Sequence, residues 1–128
     1  MVEKITTSSS HENRQHPRFS VKLPIDYWHT TEVLKSGLVA NLSKTGLLMY
    51  SVHKIETDTE LNIRIYLSKS NSLTCIEGNA KVVWMDLYRE QEWEGYKYGL
   101  YITEMPPDYQ DVLMNYLLML REEKSSYH

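Results

Sequence analysis

The side chains best suited to chemistry fall in two short clusters. Arg14 and Arg18 place two guanidiniums four residues apart in Arg14-Gln15-His16-Pro17-Arg18, on a stretch that Pro17 biases away from helix. Asn41, Ser43 and Gly46 form the second, Asn41-Leu42-Ser43-Lys44-Thr45-Gly46, where two short hydrogen-bonding side chains precede a glycine at an expected strand-to-strand turn. A guanidinium fork bonds phosphate oxygens, or the O6/N7 edge of guanine, in a bidentate way, and its flat face stacks on a base. Together the clusters suit a planar anionic ligand. Lys44 and His16 could add positive potential beside them.

Each cluster alone also fits a bland reading, as solvated arginines or an ordinary polar turn. What makes them a pair is the sheet that must position them. From Phe19 to His29, Val21, Leu23, Ile25 and Tyr27 alternate with polar residues, which predicts a half-buried strand, with Pro24 at an edge or bulge. Thr30 and Thr31 suit a turn, Val33 to Leu42 form a second strand, and Leu47 to Tyr50 begin a third after Gly46. Leu61, Ile63, Ile65 and Leu67 mark a fourth strand, followed by a hairpin turn over Ser68 to Ser72. The fifth puts Ile76, Gly78, Ala80, Val82 and Trp84 on one face, and the small Gly78 and Ala80 favour a curved, closed sheet. Trp84 is either a core or rim residue of that strand or an aromatic face for a base. Asp86 to Glu94 reads as a charged loop, and Tyr98, Leu100 and Ile102 as the sixth strand. Pro106 and Pro107 stop the sheet, and Tyr109, Val112, Leu113, Tyr116, Leu117 and Leu120 repeat at helical spacing. Met114 and Leu118 lie off that stripe, where they widen the core face or form a dimer contact. The expected architecture is mainly β: a six-stranded antiparallel β-barrel with a C-terminal α-helix.

The pattern R-x-x-x-R followed by (D/N)-x-S-x-x-G, present as Arg14/Arg18 and Asn41/Ser43/Gly46, resembles the signature of the PilZ domain family, bacterial receptors for cyclic di-GMP. The resemblance runs over residues 14–122, with 1–13 as a flexible N-terminal arm and 123–128 as a polar tail. It implies the same barrel and helix. It also implies ligand-binding roles: Arg14 and Arg18 clamp phosphate and guanine from the arm side, Asn41 and Ser43 hydrogen-bond the ligand from the barrel, and Gly46 keeps the turn shape and leaves room for approach. Many members carry aspartate at the position of Asn41, so here a charge-assisted bond to guanine N–H groups is given up. Ordering of the arm by ligand is the expected signal, relayed to an unidentified effector protein.

Composition narrows the alternatives. At 128 residues, 41% hydrophobic and 24% charged, the chain fits one globular domain. A net charge of -3 argues against a single-stranded nucleic-acid binder, the function another small barrel could serve. The rival within the same fold is an adaptor that works through protein contacts without nucleotide. No catalytic constellation stands out, so a binding module rather than an enzyme is expected, with no cofactor apart from the ligand cyclic di-GMP. His11, His16, His29, His53 and His128 lack zinc-site spacing, the lone Cys75 forms no internal disulfide, and no metal is expected. With no membrane-spanning run and no apolar signal-peptide core, the expected location is cytoplasmic, as a monomer or weak homodimer.

Overall fold

The computed structural model describes residues 16–69 and 72–126. Among the described residues six strands, β1 (Phe19–Trp28), β2 (Lys35–Leu42), β3 (Gly46–Ser51), β4 (Glu60–Lys69), β5 (Ser72–Glu90) and β6 (Trp93–Glu104), precede one helix, α1 (Pro107–Ser126). All pairings are antiparallel, and the ring β1-β2-β3-β6-β5-β4 closes through β1 and β4. Among the described residues the closing seam is short, pairing Ile25–Trp28 of β1 with Asn62–Ile65 of β4.

Alternation builds the core. Leu23, Ile25 and Tyr27 of β1, Leu61, Ile63, Ile65 and Leu67 of β4, and Ile76, Ala80 and Val82 of β5 all point inward and are buried. Pro24, which lacks an N–H, comes one residue before the β1–β4 ladder begins at Ile25. Two buried hydroxyls cross the interior with partners. Tyr27 and Ser51 share a 2.6 Å bond, while Tyr98 donates to His53 O at 2.6 Å and accepts from Ile55 N. Burial pushes the Tyr98 hydroxyl up to about 12.

Gly78 of β5 acts as expected. A Cβ on Gly78 would meet Glu104 O at 2.5 Å, so the end of β6 could not cross there over any larger residue. The helix then lays Leu113 and Leu117 into the core beside Met105, with Tyr109, Val112, Tyr116 and Leu120 half-buried around them. Gln110 Nε2 donates to Met105 O at 2.7 Å and ties the first turn to the end of the sheet. Met114 is half-buried and Leu118 is exposed. The helix continues to Ser126, past residue 122.

Two expectations fail. Residues 86–94 are not a loop: β5 and β6 extend through them as a ribbon that turns at Gln91 and Glu92, with Gln91 at φ 50°. Asp86 pairs with Lys97 and Arg89 with Glu94 across the ladder, the latter as an ion pair. Trp84 does not share the inner face of Ile76, Ala80 and Val82. A bulge at Val83, where Val82 faces Leu100 and Trp84 faces the very next residue, Gly99, shifts the alternation and turns Trp84 outward.

Candidate functional site

The second sequence cluster is the end of β2, the turn and the start of β3. Ser43 is buried in the turn, and its hydroxyl is fully used there. Oγ donates to Gly46 O at 3.2 Å and accepts from Thr45 N at 3.3 Å and Gly46 N at 3.1 Å, while Ser43 N donates to Gly46 O at 2.9 Å. One proton and two lone pairs are all that a serine hydroxyl offers. Ser43 thus acts on the shape of the turn. Gly46 does not have a positive φ, and its requirement is steric: a Cβ would stand 2.8 Å from Leu100 O on β6. Its small size serves the approach of β6.

Asn41 is in a different position. It sits on β2 just after a bulge against β3, opposite Ser20 of β1 and Leu48 of β3, so its side chain belongs to the outer face. Its Oδ1 is buried and has no hydrogen-bond partner among the described residues. A buried, unpaired carbonyl costs about 1–3 kcal/mol, so such a group asks for a donor.

The ladders carry this outer row onward. Leu48 pairs with Gly99 of β6, and Gly99 pairs with Trp84 of β5, giving a line Ser20, Asn41, Leu48, Gly99, Trp84 across the barrel wall. At about 4.8 Å per strand, the three steps from Asn41 to Trp84 cover roughly 14 Å along the wall. Alternation in the sequence gives Trp84 to the core, and only the bulge at Val83 brings it into line with Asn41. Leu48 and Gly99 escape sequence reasoning because nothing local marks them as neighbours of Asn41.

Arg18 stands exposed immediately before β1, two residues ahead of Ser20, which pairs with Asn41. Arg14 lies outside the described residues. On the helix side of the turn, His16, Phe19, Lys44, Leu117 and Arg121 line a hollow of about 130 Å³, which puts three basic side chains around an apolar floor. Arg121 belongs to α1, and the sequence holds no local signal that would join it to Lys44. A larger groove of about 690 Å³ runs along the outside of β2 and β3 beneath the β5–β6 ribbon. There Tyr50, Tyr88 and Trp93 pack on one another, with centroids 4.7 Å apart for Tyr50–Tyr88 and 5.5 Å for Tyr88–Trp93. A 2.5 Å bond to Glu90 raises the Tyr88 hydroxyl above its ordinary range.

Two charged clusters elsewhere bond internally. Arg64 bonds Glu77 at 2.7 Å and lies over the Trp28 ring, and Asp26 accepts from Tyr66 and Ser36. Among the described residues no group of three or more metal-ligating side chains converges, and no helix is long and apolar enough to cross a membrane.

The model of the PilZ domain family matches residues 12–119. No curated protein matches the chain in sequence. Among solved structures, the chain is similar to the inhibitor of motility MotI/DgrA of Bacillus subtilis, at 21% identity and a TM-score of 0.72 over 88% of this chain and 53% of that one. It is similar to the PilZ domain of YcgR from Escherichia coli with c-di-GMP, at 9% identity and a TM-score of 0.67 over 90% of this chain and 96% of that one. A third likeness is to PlzA of Borreliella burgdorferi in complex with c-di-GMP, at 14% identity and a TM-score of 0.55, covering 89% of this chain and 54% of that one. The chain therefore spans about half the length of MotI and of PlzA. At these identities the likeness is one of fold.

Proposed function

The chain belongs to the PilZ domain family, and from that premise we propose that it is a receptor for cyclic di-GMP that relays the level of this messenger to a partner protein. The observation that carries the reading is Asn41 Oδ1, buried and without a partner among the described residues, in the (D/N)-x-S-x-x-G pattern of the family. Guanine N1–H and its exocyclic amine are two donors side by side, and an amide oxygen accepts from them. Arg14 and Arg18 supply the cations for phosphate and the forks for a guanine edge. Ser43 contributes by holding the turn from which Asn41 projects, and Gly46 by letting β6 close against it. Trp84, at the other end of the outer row, offers a ring to a base.

The relay runs through the N-terminal arm. In this reading the ligand bridges Arg14 and Arg18 to the turn, holds the arm against the barrel and builds a surface that a partner reads. Calorimetric titration with cyclic di-GMP, beside GTP and a short single-stranded oligonucleotide, tests the receptor. Saturable binding of cyclic di-GMP in preference to the other two is expected. A protein that binds none of them while retaining its fold is an adaptor acting without nucleotide. Amide exchange should slow across about residues 10–20 and 41–46 with saturating ligand and change less in α1. Equal exchange of the arm with and without ligand refutes the relay even if binding is real.

A further inference from the structure

Gly99 lies in β6 between Leu48 of β3 and Trp84 of β5. It is buried although it belongs to the outer face and its neighbour Trp84 is 42% exposed. The indole is what covers it. A Cβ on Gly99 would sit 2.7 Å from Trp84 Cδ1 and closer still to Nε1 and Cε2, so the pyrrole half of the ring occupies the space a side chain would fill. Its φ is not positive, which leaves this close approach as the reason for glycine.

The three tryptophans are not equivalent. Trp28 is covered by the Arg64 guanidinium, and Trp93 packs on Tyr50 and Tyr88. Trp84 has no ring or cation contact among the described residues; its pyrrole half rests on β6 at Gly99, and the residue remains 42% exposed. Leu48, half-buried, separates it from Asn41.

We propose that Gly99 is a positioning residue: its missing side chain seats the Trp84 indole against β6, in line with Asn41, as a platform for one base of the ligand. The platform role rests on the function proposed above; the seating of the indole does not. Any side chain at 99 lifts the ring off the sheet and breaks the line.

The test uses the full chain in a Trp28→Phe, Trp93→Phe background, so that fluorescence reports Trp84 alone. Without ligand, acrylamide quenching of that signal should rise in Gly99→Ala; unchanged quenching overturns the seating. Cyclic di-GMP affinity should fall about five- to a hundredfold in Trp84→Ala, the usual range for loss of one base stack, and to a similar degree in Gly99→Ala. In the double variant Gly99→Ala, Trp84→Ala, the alanine at 99 should cost no further affinity. Its thermal stability should return to that of Trp84→Ala, because the side chain it strikes is gone. This comparison separates a seating role from a folding defect. Full affinity in either single variant, or equal losses from Gly99→Ala with and without the indole, overturns the platform. If the parent protein fails to bind cyclic di-GMP while quenching rises as expected, the function proposed above falls, and the platform with it.

Discussion

Replacing Asn41 by leucine should make the ligand-free protein more stable and the receptor worse. Leucine has nearly the shape of asparagine but no polar atom, so the change removes an Oδ1 that has no partner among the described residues without opening a cavity. An orphaned buried acceptor costs about 1–3 kcal/mol, and exchanging it for an apolar group of the same shape recovers part or all of that. Leucine also suits a strand better than asparagine does. For a domain of this size 1 kcal/mol corresponds to about 4 °C in Tm, so a rise of about 4–10 °C is expected for ligand-free Asn41→Leu. Binding should move the other way. The guanine donors lose their acceptor, at about 1–3 kcal/mol, or roughly five- to a hundredfold in Kd. Thermal unfolding with and without cyclic di-GMP reads both effects at once. At a ligand concentration about a hundred times Kd the parent gains about 2.7 kcal/mol, some 10 °C, and Asn41→Leu should lose much of that shift. A lower Tm for the ligand-free variant would mean that Oδ1 carries a structural bond, and an unchanged ligand-induced shift would mean that no ligand donor reaches position 41. Either result refutes the reasoning.

Arg14→Ala and Arg18→Ala should each weaken cyclic di-GMP binding about ten- to a hundredfold by calorimetry, the cost of a lost charged hydrogen bond, with circular dichroism unchanged because both precede the barrel. Ser43→Ala should lower the Tm of the ligand-free protein, since it deletes the hydroxyl that accepts from two backbone N–H groups and donates to Gly46 O; a stability loss of about 1–3 kcal/mol is expected. Stability should also fall at high pH. The folded protein holds the Tyr98 hydroxyl at about 12, above the ordinary tyrosine value of 10, so the neutral form is favoured by folding; its contribution is full below pH 10 and lost as pH rises to about 12. Urea midpoints measured from pH 8 to 12 should decline over that window, and less steeply in Tyr98→Phe.

Much of this architecture is written locally. The two-residue alternation of Leu23, Ile25 and Tyr27, or of Leu61, Ile63, Ile65 and Leu67, decides which face turns inward wherever a strand has one buried side, and the helical spacing of Leu113 and Leu117 does the same for α1. The Asn41–Gly46 turn was likewise legible from its residue types. The ribbon over 86–94 was not, because it extends past the barrel with much of its surface in solvent, so no buried face imposes alternation on its charged residues. Nor was the facing of Trp84, which depends on a single unpaired residue at Val83; a bulge is a property of how two strands meet and leaves no period in either one. The same holds for the site as a whole. Sequence alone named Asn41, Ser43 and Gly46 as a cluster, but their division of labour depends on partners distant in the chain. Leu100 O crowds Gly46, and Ser20 and Leu48 flank Asn41 while its oxygen goes without a partner among the described residues. Trp84 joins them only through Gly99. Local patterns fix what a segment can form, whereas the neighbours of a side chain across a closed barrel are set by register, and register exists only once the strands have paired.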